Sequence, residues 1–234
     1  MKVKKYTIVN NLIIFLMLAV LSYFTINISS NYVFSYNNSE VIYNGNKNSN
    51  KVSFMVNVYW GNEYIPQMLE VFKQYNVKTT FFVGGSWAVK YPDLLQSIYN
   101  DGHEIANHGY FHKDQDKLGY DGNYEEIKVT HDTIKELLGY EMTLFAPPSG
   151  AFNKATLEAC KQLGYKTIMW TKDTIDWRDQ NTDLIYNRAT NVSGGSFVLA
   201  HPTEKTLEAL PKILEYYKSN NLVACTVTEN LNVE

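Results

Sequence analysis

Gly102-His103-Glu104-Ile105-Ala106-Asn107-His108-Gly109-Tyr110-Phe111-His112 is the stretch on which the reading of this chain turns. His103 to Asn107 reads as a strand that flows into a loop, and the loop carries His108 and His112, four residues apart. Two imidazoles offered side by side point to a metal, although a lone His-x-x-x-His pair is as readily two polar loop histidines. The zincin pattern is excluded, because His103-Glu104 is followed by Asn107 where that motif needs its second histidine.

Outward from this strand, apolar segments and amphipathic helices alternate. Lys51 to Val58 reads as a strand, followed by a Trp60-Gly61-Asn62 turn and a helix with Ile65, Met68, Leu69 and Phe72 on one face. Thr79 to Val83 is a second strand, and Pro92 opens a helix closed by Asp101-Gly102. Downstream come a helix at Tyr124 to Leu138, a short strand at Thr143 to Ala146, and a helix at Lys154 to Leu163 stopped by Gly164. Strands follow at Tyr165 to Trp170, Ser196 to Ala200 and Leu222 to Val227, with helices at Asp183 to Ala189 and Leu207 to Tyr217. His131, near the inward face of its helix, is assigned no chemistry. This alternation predicts an α/β fold with a parallel sheet closed or nearly closed into a barrel, in which function gathers at the carboxyl ends of the strands. Asn57, His108, Asp173 and His201 all fall there.

The chain has 234 residues, 45% of them hydrophobic and 14% aromatic, enough for one sizeable core. Its net charge is −3; Lys2, Lys4 and Lys5 are the only charges among the first thirty residues, so the remainder carries about −6 and invites no nucleic acid. Those lysines precede Ile8 to Ile26, apolar except for Asn10, Asn11, Ser22 and Thr25 and long enough to cross a bilayer. No small-x-small cleavage site follows, so residues 1–30 are expected to be an uncleaved membrane anchor, with a cleaved signal segment as the alternative; either sends the domain outside the cytoplasm. Residues 31–50, rich in Asn and Ser, read as a linker in which Val41-Ile42-Tyr43 adds a short strand, and residues 51–234 as one domain. Cys160 and Cys225 fit either a disulfide or two buried thiols.

With these residues in view, the chain from about Lys51 onward resembles the polysaccharide deacetylase family, the NodB-homology domain of metal-dependent carbohydrate esterases. Asn57-Val58-Tyr59-Trp60-Gly61-Asn62-Glu63-Tyr64 and Ala146-Pro147-Pro148-Ser149-Gly150 look like a sporulation-associated subgroup found in endospore-forming bacteria. The resemblance implies a distorted (β/α) barrel of about seven parallel strands. Motif by motif it is uneven. The family's Thr-Phe-Asp-Asp, whose first aspartate is the general base and second a metal ligand, is answered by Met55-Val56-Asn57-Val58, so both carboxylates are gone. His-x-x-x-His, two metal ligands, is intact as His108 and His112. The arginine that steadies the base is replaced by Ala146. Asp-x-x-Asp-Trp is present as Asp173, Asp176 and Trp177, and Leu-x-x-His ends here in His201, in the family a general acid tuned by an aspartate of the preceding motif. The resemblance implies a divalent metal, zinc by the ligand types, and a cell-wall glycan as partner.

Amide deacetylation needs a metal to polarise the carbonyl and acidify a water, a base for that water's proton, and an acid for the leaving amine. Asn57 takes up no proton at neutral pH, and losing a positioned base costs about 10² to 10⁴ in rate, or roughly 3 to 5 kcal/mol. Losing the carboxylate at Val58 leaves two neutral imidazoles without charge compensation. Glu63 and Asp114 are the candidate substitutes, and Trp60, Trp177 and Pro148 the candidate substrate contacts. Two functions follow: a membrane-tethered deacetylase that hydrolyses acetamide C–N bonds of peptidoglycan or a chitin-like glycan in sporulation, or a non-catalytic glycan-binding descendant in spore envelope assembly. A serine hydrolase built on Ser149 is set aside, because Pro148-Ser149-Gly150 lacks the nucleophile elbow.

Overall fold

The computed structural model describes residues 15–17 and 41–232. Residues 15–17 are helical. The apolar segment expected to cross a membrane otherwise lies outside the described residues, and among the latter no helix is long and apolar enough to do so.

The domain is built on β1 (Lys51–Val58), an apolar strand buried along nearly its whole length. It pairs in parallel with β7 (Phe197–Ala200) on one edge, and on the other with β8 (Val223–Cys225) at its start and β2 (Thr80–Val83) toward its end. β3 (Glu104–Asn107), β4 (Leu144–Phe145) and β5 (Lys166–Thr167) continue beyond β2, and β6 (Lys172–Asp173) lies outside β7. The order is β5-β4-β3-β2-β1-β7-β6 with β8 off this path, every ladder parallel, so the sheet curls into a half-barrel. The strands cross over through helices α1 (Ile65–Gln74), α2 (Gly85–Lys90), α3 (Pro92–Asn100), α4 (Tyr120–Leu138), α5 (Lys154–Gln162), α6 (Thr182–Thr190) and α7 (Glu204–Ser219); α8 (Val227–Leu231) follows β8.

Because side chains alternate along a strand, β1 feeds two cores. Val52, Phe54, Val56 and Val58 join the large cluster under the helices, with Ile65, Met68, Leu69 and Phe72 of α1. Met55 joins the cluster inside the curl, with Phe82, Ala106, Ala146 and Ile168. Asn57, two residues on, shares the inner side with Met55.

Four local readings differ from the sequence expectation. α2 was not anticipated, because its two turns are too short to display a period. The last strand stops at Cys225, because Thr226 and Glu229 form a capping box that turns Val227 into a helix start. The segment from Tyr165 to Trp170 yields only the two-residue β5. Residues 41–50, the end of the expected linker, are seated on the domain: the Ile42 N–H donates to the Thr167 carbonyl (2.9 Å), the Met169 N–H to that of Ile42 (2.8 Å), and the Asn46 N–H to that of Asn230 (3.1 Å). Cys160 and Cys225 are free and buried, and burial pushes both thiols up to about 11.

His103, just before β3, is a packing residue. Its ring lies edge-on to Phe72 (5.4 Å) and Phe81 (5.2 Å), and Nδ1 accepts from the Thr79 N–H (3.1 Å). Burial lowers its pKa to about 4. The unfolded chain therefore binds this proton near pH 6.5 and the folded one only near 4, so stability falls as pH drops through that window, by roughly 1 kcal/mol per unit. Urea midpoints measured from pH 7 to pH 4 should show this loss, and His103→Gln should make the slope shallower, leaving the share of His108 and His112, although it lowers stability throughout.

Candidate functional site

The parallel ladders bring the carboxyl ends of β1, β2, β3 and β7 to one rim. Val58 is in register with Val83, and Val83 with Asn107. The Gly84 N–H donates to the Val58 carbonyl (3.0 Å), the His108 N–H to that of Val83 (3.0 Å), and the Gly85 N–H to that of Gly109 (3.0 Å). These bonds lash the loops after β1, β2 and β3 together.

His108 is almost fully buried, and its Nδ1 is bonded to the Ala146 carbonyl oxygen (2.8 Å), so Nδ1 carries the proton and Nε2 has its lone pair free. Burial, then the neighbouring His112, lowers its pKa to about 3. His112 sits edge-on to it, ring centroids 5.0 Å apart, and burial lowers its pKa too. Both imidazoles are thus neutral near pH 7. His112 has a left-handed backbone (φ 55°), held by a residue that sequence reading missed. Glu126 of α4, 4% exposed, accepts from the Tyr110 N–H (2.9 Å) and the Phe111 N–H (2.8 Å) and pairs with Lys113 (3.0 Å). The signal was available: Asn123, Glu126, Ile127, Thr130 and Ile134 form the buried stripe of α4, and a carboxylate on such a stripe needs a partner.

Across the rim, Asp176 is completely buried and fully engaged. It accepts from the His201 N–H (2.6 Å), from His201 Nδ1 (2.7 Å) and from the Thr206 hydroxyl (2.6 Å). Asp173 serves a different end: its carboxylate accepts from the Ile175 N–H (2.7 Å), holding a β-branched residue at φ 53°, a conformation costing roughly 1–3 kcal/mol. Asp176 is thus the aspartate that touches His201, and Asp173 shapes the turn that delivers it.

Asn57 is 5% exposed, and among the described residues its buried Oδ1 has no hydrogen-bond partner. Val58 is wholly buried in the helix-side core. Glu63 is exposed, and Asp114 is engaged by Lys117 and Ser149, which hold its carboxyl below the usual range. Among the described residues no third His, Cys, Asp or Glu joins His108 and His112 in a group that could hold a metal. The donor set does not fit a divalent ion: two neutral nitrogens, the amide of Asn57 and a core valine at position 58, with no anionic ligand among them.

Aromatic rings occupy the remaining faces. Tyr59 lies on His112 at 4.9 Å, and Trp60 stacks on His201 at 5.6 Å with planes 7° apart. Gly84 permits the first contact, since a Cβ there would lie 2.4 Å from Tyr59 Cδ2. Trp60 remains 43% exposed. Trp177, 54% exposed, is flanked by Arg178, and Pro148 is buried.

Glu126→Ala should cost about 2 kcal/mol by taking the carboxylate acceptor from two part-buried backbone N–H groups. Hydrogen exchange at Tyr110 and Phe111 should accelerate well beyond that of β1 amides; equal acceleration everywhere would show that Glu126 acts on global stability instead.

Residues 44–168 match the sequence profile described as polysaccharide deacetylase. The uncharacterized protein YlxY of Bacillus subtilis is 38% identical over 191 residues, covering 81% of this chain and 60% of that protein. A peptidoglycan-N-acetylglucosamine deacetylase of Bacillus cereus is 33% identical over 163 residues, covering 67% and 59%. The crystal structure of a CE4 family pseudoenzyme from Bacillus anthracis superimposes with a TM-score of 0.81 at 34% identity, covering 83% of this chain and 70% of that one. The chain spans about 60% of the length of these two curated relatives. On its sequence profile, its half-barrel and its histidine rim, the chain belongs to the polysaccharide deacetylase family.

Proposed function

We propose that this protein is a non-catalytic member of its family that binds cell-wall glycan over the rim of β1, β3 and β7, outside the cytoplasm. The observation that carries the reading is the replacement at the end of β1: Asn57, an amide with an unpartnered buried oxygen, and Val58, absorbed into the core. Asn57 offers no base, and the neutral His108–His112 pair offers no anionic ligand. Ala146 agrees with this, because an arginine that steadies a base has nothing to hold once that base is an amide. The cell-wall deacetylases among the relatives support a peptidoglycan-type ligand, and the pseudoenzyme of similar fold supports loss of catalysis. Trp60 supplies an exposed ring on which a pyranose face can stack. The subgroup resemblance of Asn57 to Tyr64 adds a role in spore envelope assembly, and the segment from Ile8 to Ile26 a membrane tether.

The Asp176–His201 pair favours a second reading, slow hydrolysis of acetamide C–N bonds with His201 as acid. Its mark would be acetate release from peptidoglycan that disappears in His201→Ala.

Binding of peptidoglycan oligosaccharides, measured by calorimetry, should persist in EDTA, and Trp60→Ala should weaken it roughly three- to tenfold. Binding abolished by the chelator, or acetate appearing in the cell, would turn the decision to the second reading.

A further inference from the structure

Beside the histidine rim lies a cavity of about 320 Å³ that the histidines do not line. One wall is Tyr59 and Trp60, the two rings already laid on His112 and His201. The other side belongs to α2 and the residue after it: Ser86, Trp87, Lys90 and Tyr91, with Asn62 between. Its volume is at the low end of the roughly 300–1,000 Å³ typical of small-ligand sites, room for a single sugar unit.

The polar groups here are largely committed in a way that leaves donors facing outward. Trp87 is buried and its Nε1–H donates to Asn62 Oδ1 (3.1 Å), which leaves the Asn62 amide hydrogens. Ser86 Oγ donates to the Tyr59 hydroxyl oxygen (3.0 Å), which leaves the phenolic O–H. Lys90 is exposed, with Nζ 5.2 Å from the Tyr91 ring centroid, and among the described residues it enters no ion pair. No Asp or Glu lines the cavity; Glu63, next in the chain after Asn62, is not part of its wall. Aromatic faces combined with hydroxyl, amide and ammonium donors, and no carboxylate, complement a pyranose bearing an anionic substituent.

We propose that this cavity is a subsite for a carboxylate-bearing sugar of the wall glycan, adjoining the unit held over the histidine rim. The inference rests on the glycan-binding reading above and specifies its ligand. Tyr59 and Trp60 couple the two positions, because each ring has one neighbour in the rim and lines the cavity as well. Lys90 is the specificity-determining residue.

Calorimetry on the whole protein with two probes tests this: a peptidoglycan tetrasaccharide with free lactyl carboxylates, and neutral chitotetraose. The wild type should prefer the acidic probe by about tenfold, the increment of one charge-assisted hydrogen bond. Lys90→Gln should abolish the preference and Lys90→Glu invert it, with the larger change in affinity falling on the acidic probe. Equal affinity for the two probes in the wild type, or a preference that survives Lys90→Gln, would overturn the acidic subsite while leaving glycan binding intact. Failure of both probes to bind would overturn the subsite and the glycan-binding reading together.

Discussion

Everything in this domain depends on the pairing of β1 with β7 on one edge and with β8 and β2 on the other. A parallel strand hydrogen-bonded on both edges and buried on both faces has one register, since a slip of one residue would exchange its two cores. That register sends Val58 under the helices and Asn57 into the curl, and it aligns the ends of β2, β3 and β7 beside them. The histidine rim is therefore a by-product of sheet packing, and it survives whether or not any chemistry is performed there.

The groups at the rim form an electrostatically consistent set. A carboxylate at position 57 or 58 without a metal would be a buried, uncompensated charge, more costly than the one unpartnered amide oxygen present, which costs about 1–3 kcal/mol. Val58 is ordinary core, and Ala146 adds no charge to the inner cluster it joins. The Asp176–His201 pair persists for a reason that needs no reaction: Asp176 binds the backbone N–H of His201 and the Thr206 hydroxyl, fastening the end of β7 to the first turn of α7. Tyr59 and Trp60 complete the change by covering one face of each outer histidine.

Much of this was legible in the sequence, and what was missed has definite causes. Lys51–Val58 and the Ile65, Met68, Leu69, Phe72 face announce themselves by period, and both appear as read. The sites at the ends of β1, β3 and β7 follow from the general habit of parallel sheets. α2 and α8 did not show because elements of five or six residues have no measurable period, although the Thr226–Glu229 box gave notice of the second. Glu126 stood out only as a carboxylate on a buried stripe; its partners were hidden by sequence distance, since only the folded helix carries it back to residues 110 and 111. The division of labour between Asp173 and Asp176 was likewise out of reach, because both fit the motif and only the folded turn at Ile175 gives His201 to Asp176 and the Ile175 N–H to Asp173.

The central claim is that the rim has lost its metal along with its base, and a calorimetric titration of zinc into the unaltered protein tests it most directly. The Asn57→Asp/Val58→Asp double variant, which returns both carboxylates, serves as the positive control, and His112→Ala in that background as the negative one. The account predicts no saturable heat for the unaltered chain and stoichiometric binding, about micromolar or tighter, for the double variant. Stoichiometric zinc binding by the unaltered chain, lost in His112→Ala, would contradict it and return the protein to the hydrolases.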